Sequence, residues 1–301
     1  MKESVEKLDR TKERGNRMKP EAWRICLIQM DVSIGEPDRN VDRVQRRIEQ
    51  VMDSPEGRPD VIVLPEMWNT GYALEKLDQL ADPGGEAARE LLSELSARYG
   101  VNIVGGSVSV REGSRFYNRL YVTDRQGRIA AQYDKIHLFR LMDEHSYLTA
   151  GDMLGRFELD GVACGAIICY DLRFPELART LALDGAEVLF VPAQWPHPRL
   201  YHWRMLLTAR SIENQMFVAA CNRVGTSIGA DGTASAFFGH SVVLDPWGEP
   251  IAGAEEEETD IYADIPLSSV EEVRSRIPVF ADRREALYRG SGQVIAAKER
   301  E

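Results

Sequence analysis

Apolar residues recur along this chain with two spacings. In "RICLIQMDV" (residues 24–32) they run almost without interruption, which predicts a strand covered on both faces. In "NVDRVQRRIEQVM" (40–52) Val41, Val44, Ile48 and Val51 fall on one helical face. "PDVIVLPEMW" (59–68) predicts a second buried strand that ends in Pro-Glu. The same order returns later. "VACGAIICYD" (162–171) reads as a strand, "FPELARTLALDG" (174–185) as a helix, and "AEVLFVPAQW" (186–195) as a strand ending in Pro-Ala. Two such units predict βαβ elements with parallel strand pairs and a diverged internal duplication.

The segments between them extend the parallel. "EAARELLSELSARYG" (86–100) is an amphipathic helix with Gly100 at the position of a left-handed C-terminal stop. Strands joined by turns follow to residue 135, one turn being Arg125-Gln126-Gly127. In the second half, residues 201–214 predict a helix. Strands follow at "MFVAACNRVG", "GHSVVLDPWGE" and "IYADI", with a turn at Asp-Pro-Trp-Gly (245–248). The run Glu255 to Glu258 reads as a solvated loop tip. The expected architecture is α/β. One domain spans residues 21–301, C-terminal tail included, with two sheets and helices on the outer faces. Residues 1–20 read as a charged arm, or as an over-extended start upstream of Met18.

Composition narrows the function. The chain has 301 residues, 44% hydrophobic and 28% charged, as in a globular protein with a sizeable core. A formal charge of −11 argues against nucleic acid as a partner. No apolar run reaches the roughly 18 residues of a membrane span, and the N-terminus lacks the apolar core of a secretory signal. A cytoplasmic location is therefore expected. The four cysteines are scattered, without a CxxC pair, and read as reduced. The five histidines form no HExxH, so no metal is expected.

Three reactive side chains stand at the ends of apolar runs. Glu66 closes "VIVLPE", Lys135 follows "AAQYD", and Cys169 closes "GAIIC". A lone charge there is costly, but the three groups can satisfy one another. Glu66 can take the thiol proton of Cys169. Lys135 can favour the thiolate and then face the oxyanion of a tetrahedral intermediate. The backbone N–H of Tyr170, next after the nucleophile, is a second oxyanion donor.

"LPEMWNTGY", "YDKIHLF" and "CYDLRFPEL" resemble the three motifs of the nitrilase, or carbon–nitrogen hydrolase, superfamily, in order and over about residues 23–288. The resemblance implies a four-layer αββα sandwich, a Glu–Lys–Cys triad, a thioester intermediate and no cofactor. It also implies a second glutamate, Glu144 in "HLFRLMDEHSYLTAG", which orients Lys135; Asp143 is the competing candidate. Together with "AQWPHPRLYHWRMLLTARSIENQMFVAACNRVG" and "GHSVVLDPWGE", the same stretch is similar to bacterial omega-amidases of the methionine-salvage type. That branch implies hydrolysis of a 2-oxo acid monoamide: 2-oxoglutaramate, 2-oxosuccinamate or the methylthio analogue. The alternatives within the superfamily are another amidase, an N-carbamoyl amine hydrolase or a nitrilase. The superfamily also implies a homodimer or larger homo-oligomer, paired through residues 174–185 and 201–214, with the stretch 270–288 lying across the partner.

Other residues carry two readings each. Trp68 and Trp195 follow matching strands and are expected at the pocket, although an aromatic there is as often a packing residue. Arg173 can bind a substrate carboxylate, or pair with Glu176 three residues on. Cys26, Cys164 and Cys221 read as core. Two further classes remain open at this level: a non-catalytic scaffold, and a cysteine peptidase or transferase using His137, two residues from Lys135.

Overall fold

The computed structural model describes residues 19–228, 232 and 234–288. The arm expected at 1–20 lies outside the described residues except for Lys19 and Pro20, and so does the tail beyond 288. The first half runs β1 (Ala22–Gln29), α1 (Pro37–Met52), β2 (Val61–Val63), α2 (Leu77–Leu80), β3 (Asp82–Pro83) and α3 (Glu86–Tyr99). It continues through β4 (Asn102–Glu112), β5 (Arg115–Thr123), β6 (Ile129–Asp134) and α4 (Glu144–Tyr147). The second half runs β7 (Arg156–Leu159), β8 (Val162–Ala166), α5 (Pro175–Leu183), β9 (Val188–Ala193), α6 (Leu200–Asn214) and β10 (Phe217–Asn222). A hairpin, β11 (Val224–Ile228) and β12 (Ala234–Phe238), precedes β13 (Val242–Leu244), β14 (Pro250–Gly253) and β15 (Thr259–Pro266), then α7 (Ser268–Arg276) and α8 (Glu285–Tyr288).

The two main sheets repeat one plan. The first has the order β15-β1-β2-β4-β5-β6, and the second β7-β8-β9-β10-β13-β14 in the same sense. In each, three parallel strands are extended on one side by an antiparallel pair and flanked on the other by one antiparallel strand. The flanking strands break the simple duplication. "IYADI" does not stay with the second half: β15 returns across the molecule and pairs along the whole of β1, from Ala22 opposite Pro266 to Gln29 opposite Thr259.

Strand alternation sets the layers. On β1, Trp23, Ile25 and Leu27 face the second sheet, in one core with Ala166, Ile168, Val191 and Phe217. Cys26 and Ile28 face the other way, against Val44, Ile48 and Val51 of α1 and Leu92 and Leu95 of α3. Leu177 and Leu181 of α5, with Trp203 and Leu207 of α6, cover the outer face of the second sheet. The result is an αββα sandwich. Gly100 caps α3 at φ 66°, as its position in the sequence predicts.

The acidic run 255–258 is an exposed loop, as expected, and is anchored at its ends: Arg43 holds Glu258 at 2.6 Å, and Gln29 donates to the carbonyls of Glu255 and Glu257 at 2.7 Å. Residues 268–280 pack on their own chain. Val270 and Val273 are buried, and Phe280 rests on the core between Arg179 and Arg274. Among the described residues no helix is long and apolar enough to cross a membrane.

One glycine matters for the site. Gly106 has φ 59°, and a Cβ there would lie 2.0 Å from the carbonyl oxygen of Pro65, next to Glu66. The β4–β5 register slips at this point, so Ser107 can hold the Pro65–Met67 turn. Gly106→Ala is therefore expected to destabilise the fold by about 2–4 kcal/mol, read from the midpoint of urea unfolding.

Candidate active site

Glu66, Lys135 and Cys169 each follow the end of a strand: β2, β6 and β8 respectively. The C-terminal ends of parallel strands are where an α/β sheet places its chemistry. Here the two sheets bring their ends together. Glu66 N–H donates across to Ala193 O (3.5 Å), and Gln194 N–H returns to Glu66 Oε2 (2.7 Å). The Gln194 side chain donates to Glu66 O at 2.7 Å and accepts from the fully buried Arg223 at 3.1 Å.

At the centre lies the Lys135 ammonium, 2.8 Å from Glu66 Oε1 and 2.6 Å from Glu144 Oε1, with no solvent exposure on any of the three side chains. Tyr72 Oη lies 2.9 Å from the same Glu66 oxygen and 2.6 Å from the same Glu144 oxygen. Asn118 adds a bond to Glu66 Oε1 at 2.8 Å. Phe139 N–H donates to Glu144 Oε2 at 2.8 Å. Asp143 is exposed, so of the two candidates Glu144 is the one inside.

The charges follow from this packing. Burial pushes the Lys135 ammonium down, but Glu144 and Glu66 outweigh it and hold it above its ordinary value, so it stays charged. Burial raises Glu144, and Lys135 only partly offsets this. Burial and then the charge of Glu66 push the Cys169 thiol well above its ordinary value; Lys135 pulls it back in part. The resting group is a thiol, so attack requires a base to remove its proton.

The backbone is strained around the site. Met67 (φ 46°), Asp143 (φ 53°) and Cys169 (φ 45°) all adopt left-handed conformations without being glycine. The first two adjoin Glu66 and Glu144, and the third is the candidate nucleophile itself. Such residues each cost roughly 1–3 kcal/mol and persist only where neighbouring contacts impose them.

Cys169 opens onto a narrow cleft lined by Phe139, Tyr170, Arg173, Trp195 and Arg199, among others. Trp195 forms its wall as expected. Trp68 does not: it is fully buried in the outer core and donates to Gly105 O at 2.7 Å. Arg173 does not pair with Glu176. It lies over the Trp195 ring at 4.8 Å and touches His202 Nδ1 at 3.3 Å. His137 is engaged elsewhere, bonded to Asp171 at 2.8 Å and stacked on Phe174. Among the described residues no group of acidic, histidine or cysteine side chains is arranged to hold a metal ion.

The sequence pattern of the carbon-nitrogen hydrolases matches residues 24–275. The chain belongs to that family. It is thus a hydrolase of carbon–nitrogen bonds. A 2-oxoglutaramate amidase of Bacillus subtilis is 48% identical over 266 residues, 88% of this chain and 99% of that protein. An omega-amidase of Escherichia coli is 36% identical over 265 residues, 87% of this chain and 97% of that protein. The crystal structure of a carbon-nitrogen hydrolase from Helicobacter pylori superimposes with a TM-score of 0.82 at 26% identity, covering 89% of this hydrolase and 97% of that chain.

Tyr72, Asn118, Gln194, Asp171 and Arg199 were missed in the sequence. Tyr72 and Asp171 lie inside the quoted motifs, which is the signal available for them. Gln194 and Arg199 lie inside the longer quoted stretch that begins at Ala193, and Asn118 alone has no such marker.

Of the four free cysteines, only Cys169 (5% exposed) lines this cleft; the others are exposed by 2% or less. Iodoacetamide is therefore expected to label Cys169 stoichiometrically and spare Cys26, Cys164 and Cys221, as peptide mass mapping would report.

Proposed function

We propose that this hydrolase is an omega-amidase: it releases ammonia from the terminal amide of a 2-oxo acid monoamide, such as 2-oxoglutaramate, through a thioester on Cys169. The observation that carries the substrate reading is a pair of guanidinium groups at the cleft. Neither Arg173 nor Arg199 pairs with a carboxylate among the described residues. Their contacts are aromatic faces, His202 Nδ1 and, at 3.5 Å, the carbonyl of His197. Burial, and to a lesser degree the charge of Arg199, push Arg173 below its ordinary value. The opposite charge of an arriving carboxylate offsets both, so a substrate with an anionic end and an amide end matches the charges at this cleft. The names of the similar proteins from B. subtilis and E. coli point the same way.

In this reading Glu66 takes the Cys169 proton as sulfur attacks the amide carbon. Lys135 uses two N–H groups on Glu66 and Glu144, and its third meets the developing oxyanion with the Tyr170 N–H. Glu144 holds Lys135 in line and shares the load of its charge. Glu66 then gives its proton to the leaving nitrogen. Ammonia departs, and Glu66 activates water against the thioester. The acid leaves and the thiol is restored. Acid–base exchange of this kind contributes on the order of 10²–10⁴-fold. A reduced, buried thiol set favours the cytoplasm as the place of work.

The homodimer reading rests on α5 and α6. Leu183, Tyr201, Met205 and Ile212 are exposed there, and Met205 lines an open groove between α6 and the β13–β14 edge. Of the apolar residues that α6 and its end supply, Trp203, Leu207 and Met216 are internal, so this exposed set is what a second copy would cover.

Cys169→Ala should leave a folded protein without turnover. Arg173→Ala and Arg199→Ala should each raise KM for 2-oxoglutaramate about tenfold or more, with little effect on a simple amide that lacks a carboxylate. Ammonia release from a panel of monoamides, simple amides, carbamoyl amines and nitriles checks this. Preference for an uncharged amide would overturn the substrate reading. Light scattering at micromolar concentration should give the mass of a dimer; a fully active monomer would refute the assembly.

A further inference from the structure

Asp171 follows the nucleophile by two residues and is completely buried. Its carboxylate takes four donors. Oδ1 accepts from His137 N (2.9 Å) and His137 Nδ1 (2.8 Å). Oδ2 accepts from Tyr133 Oη (2.7 Å) and Ile168 N (3.0 Å). These partners are not scattered. Tyr133 and His137 stand two residues before and two after Lys135. Ile168 immediately precedes Cys169. One carboxylate therefore grips the chain on both sides of the lysine and at the foot of the nucleophile.

Nothing else among these contacts joins those two segments so directly. Lys135 belongs to the first sheet's last strand end, and Cys169 to the second sheet. The Cys169 backbone is held at φ 45°, a conformation its neighbours must impose. The bond from Ile168 N to Asp171 closes that turn from within. Burial, reinforced by the charge of Asp171, keeps the Tyr133 phenol well above its ordinary value, so it remains a neutral donor. His137 is locked from both sides, by Asp171 and by a ring stack on Phe174 at 3.5 Å.

We propose that Asp171 is a positioning residue that fixes the Lys135 ammonium relative to the Cys169 sulfur, with Tyr133 and His137 as its grips. The inference rests on Cys169 and Lys135 acting as proposed above, but its deciding readout is alkylation of the thiol, not turnover of the amide. The ionic groups that act on the thiol are Glu66 and Glu144, which oppose ionisation, and Lys135, which favours it. Asp171, with His137 against it, is a further negative group two residues away. Misplacing Lys135 weakens the favourable charge and leaves only the Gln194 backbone hydrogen bond, so the thiol ionises at higher pH. Removing the charge of Asp171 alone acts in the opposite direction. The sign of the change separates the two effects.

The experiment follows alkylation of Cys169 by iodoacetamide against pH in the full chain, where thiolate displaces iodide and forms a thioether. Asp171→Asn is expected to slow alkylation about tenfold at fixed pH, a shift of the profile by about one pH unit upward. The kcat should fall about 100-fold with KM nearly unchanged, as expected for a misplaced catalytic group. Alkylation that is unchanged or faster overturns the proposal, as does a loss that merely tracks the folded fraction in thermal melts. Should Asp171→Asn fail to fold, Tyr133→Phe decides, since it removes one grip and no charge. Alkylation about threefold slower supports the proposal, and an unchanged rate overturns it. An active Cys169→Ala protein would instead remove the nucleophile reading on which the inference stands.

Discussion

A lysine ammonium sealed from water sits between two carboxylates, and the rest of the structure is arranged to keep it there. Burying one charge in a dry interior is expensive, and burying three is tolerable only if each hydrogen-bonding position is filled. The carboxylates of Glu66 and Glu144 approach that condition through Lys135, Tyr72, Asn118, the Phe139 N–H and the Gln194 N–H. Removing one member of such a set would leave an uncompensated buried charge, a loss of roughly 3–5 kcal/mol. Glu144 and Glu66 hold the Lys135 ammonium above its ordinary value, and burial followed by the charge of Glu66 raises the neighbouring thiol.

The constraint reaches outward through both sheets. Glu66 comes from the first and Gln194 from the second, and each bonds to the other's backbone. Arg223 braces Gln194 from behind and is itself held by Asp31 Oδ1 at 2.5 Å and Val32 O at 2.9 Å. The site is thus a seam between the two halves of the sandwich, and neither half contains it alone. Left-handed residues stand beside the site at Met67 and Cys169, just past the ends of β2 and β8, and at Asp143, which caps α4. Their strain is offset by the contacts that the seam creates.

The cleft side of the site is different in kind. It has two arginines resting on aromatic rings, with no carboxylate to neutralise them among the described residues. The buried cluster supplies a fixed charge pattern, and the half-buried arginines stand apart from it at the cleft. A family that shares the first can vary the second without disturbing its core.

The sequence by itself determined the elements and the reactive trio. Continuous apolar runs, helical spacing and Gly100 are local features whose physics acts within a few residues, so they appear in the structure where they are expected. The stranded charges Glu66 and Lys135 and the thiol Cys169 were legible because a polar group at the end of a buried strand needs a partner. The choice of Glu144 over Asp143 was carried by resemblance and settled only by burial. Everything that depends on direction across long separations was decided by the tertiary structure. Periodicity within a strand does not say which sheet it joins, so β15 could cross back to β1 unannounced. Trp68 and Trp195 follow equivalent strands, yet one turns into the outer core and the other lines the cleft. Arg173 has Glu176 within local reach but lies against Trp195, which is distant in sequence and adjacent in space. Spacing along the chain fixes only what neighbours can touch; the packing of two sheets fixes which distant side chains meet.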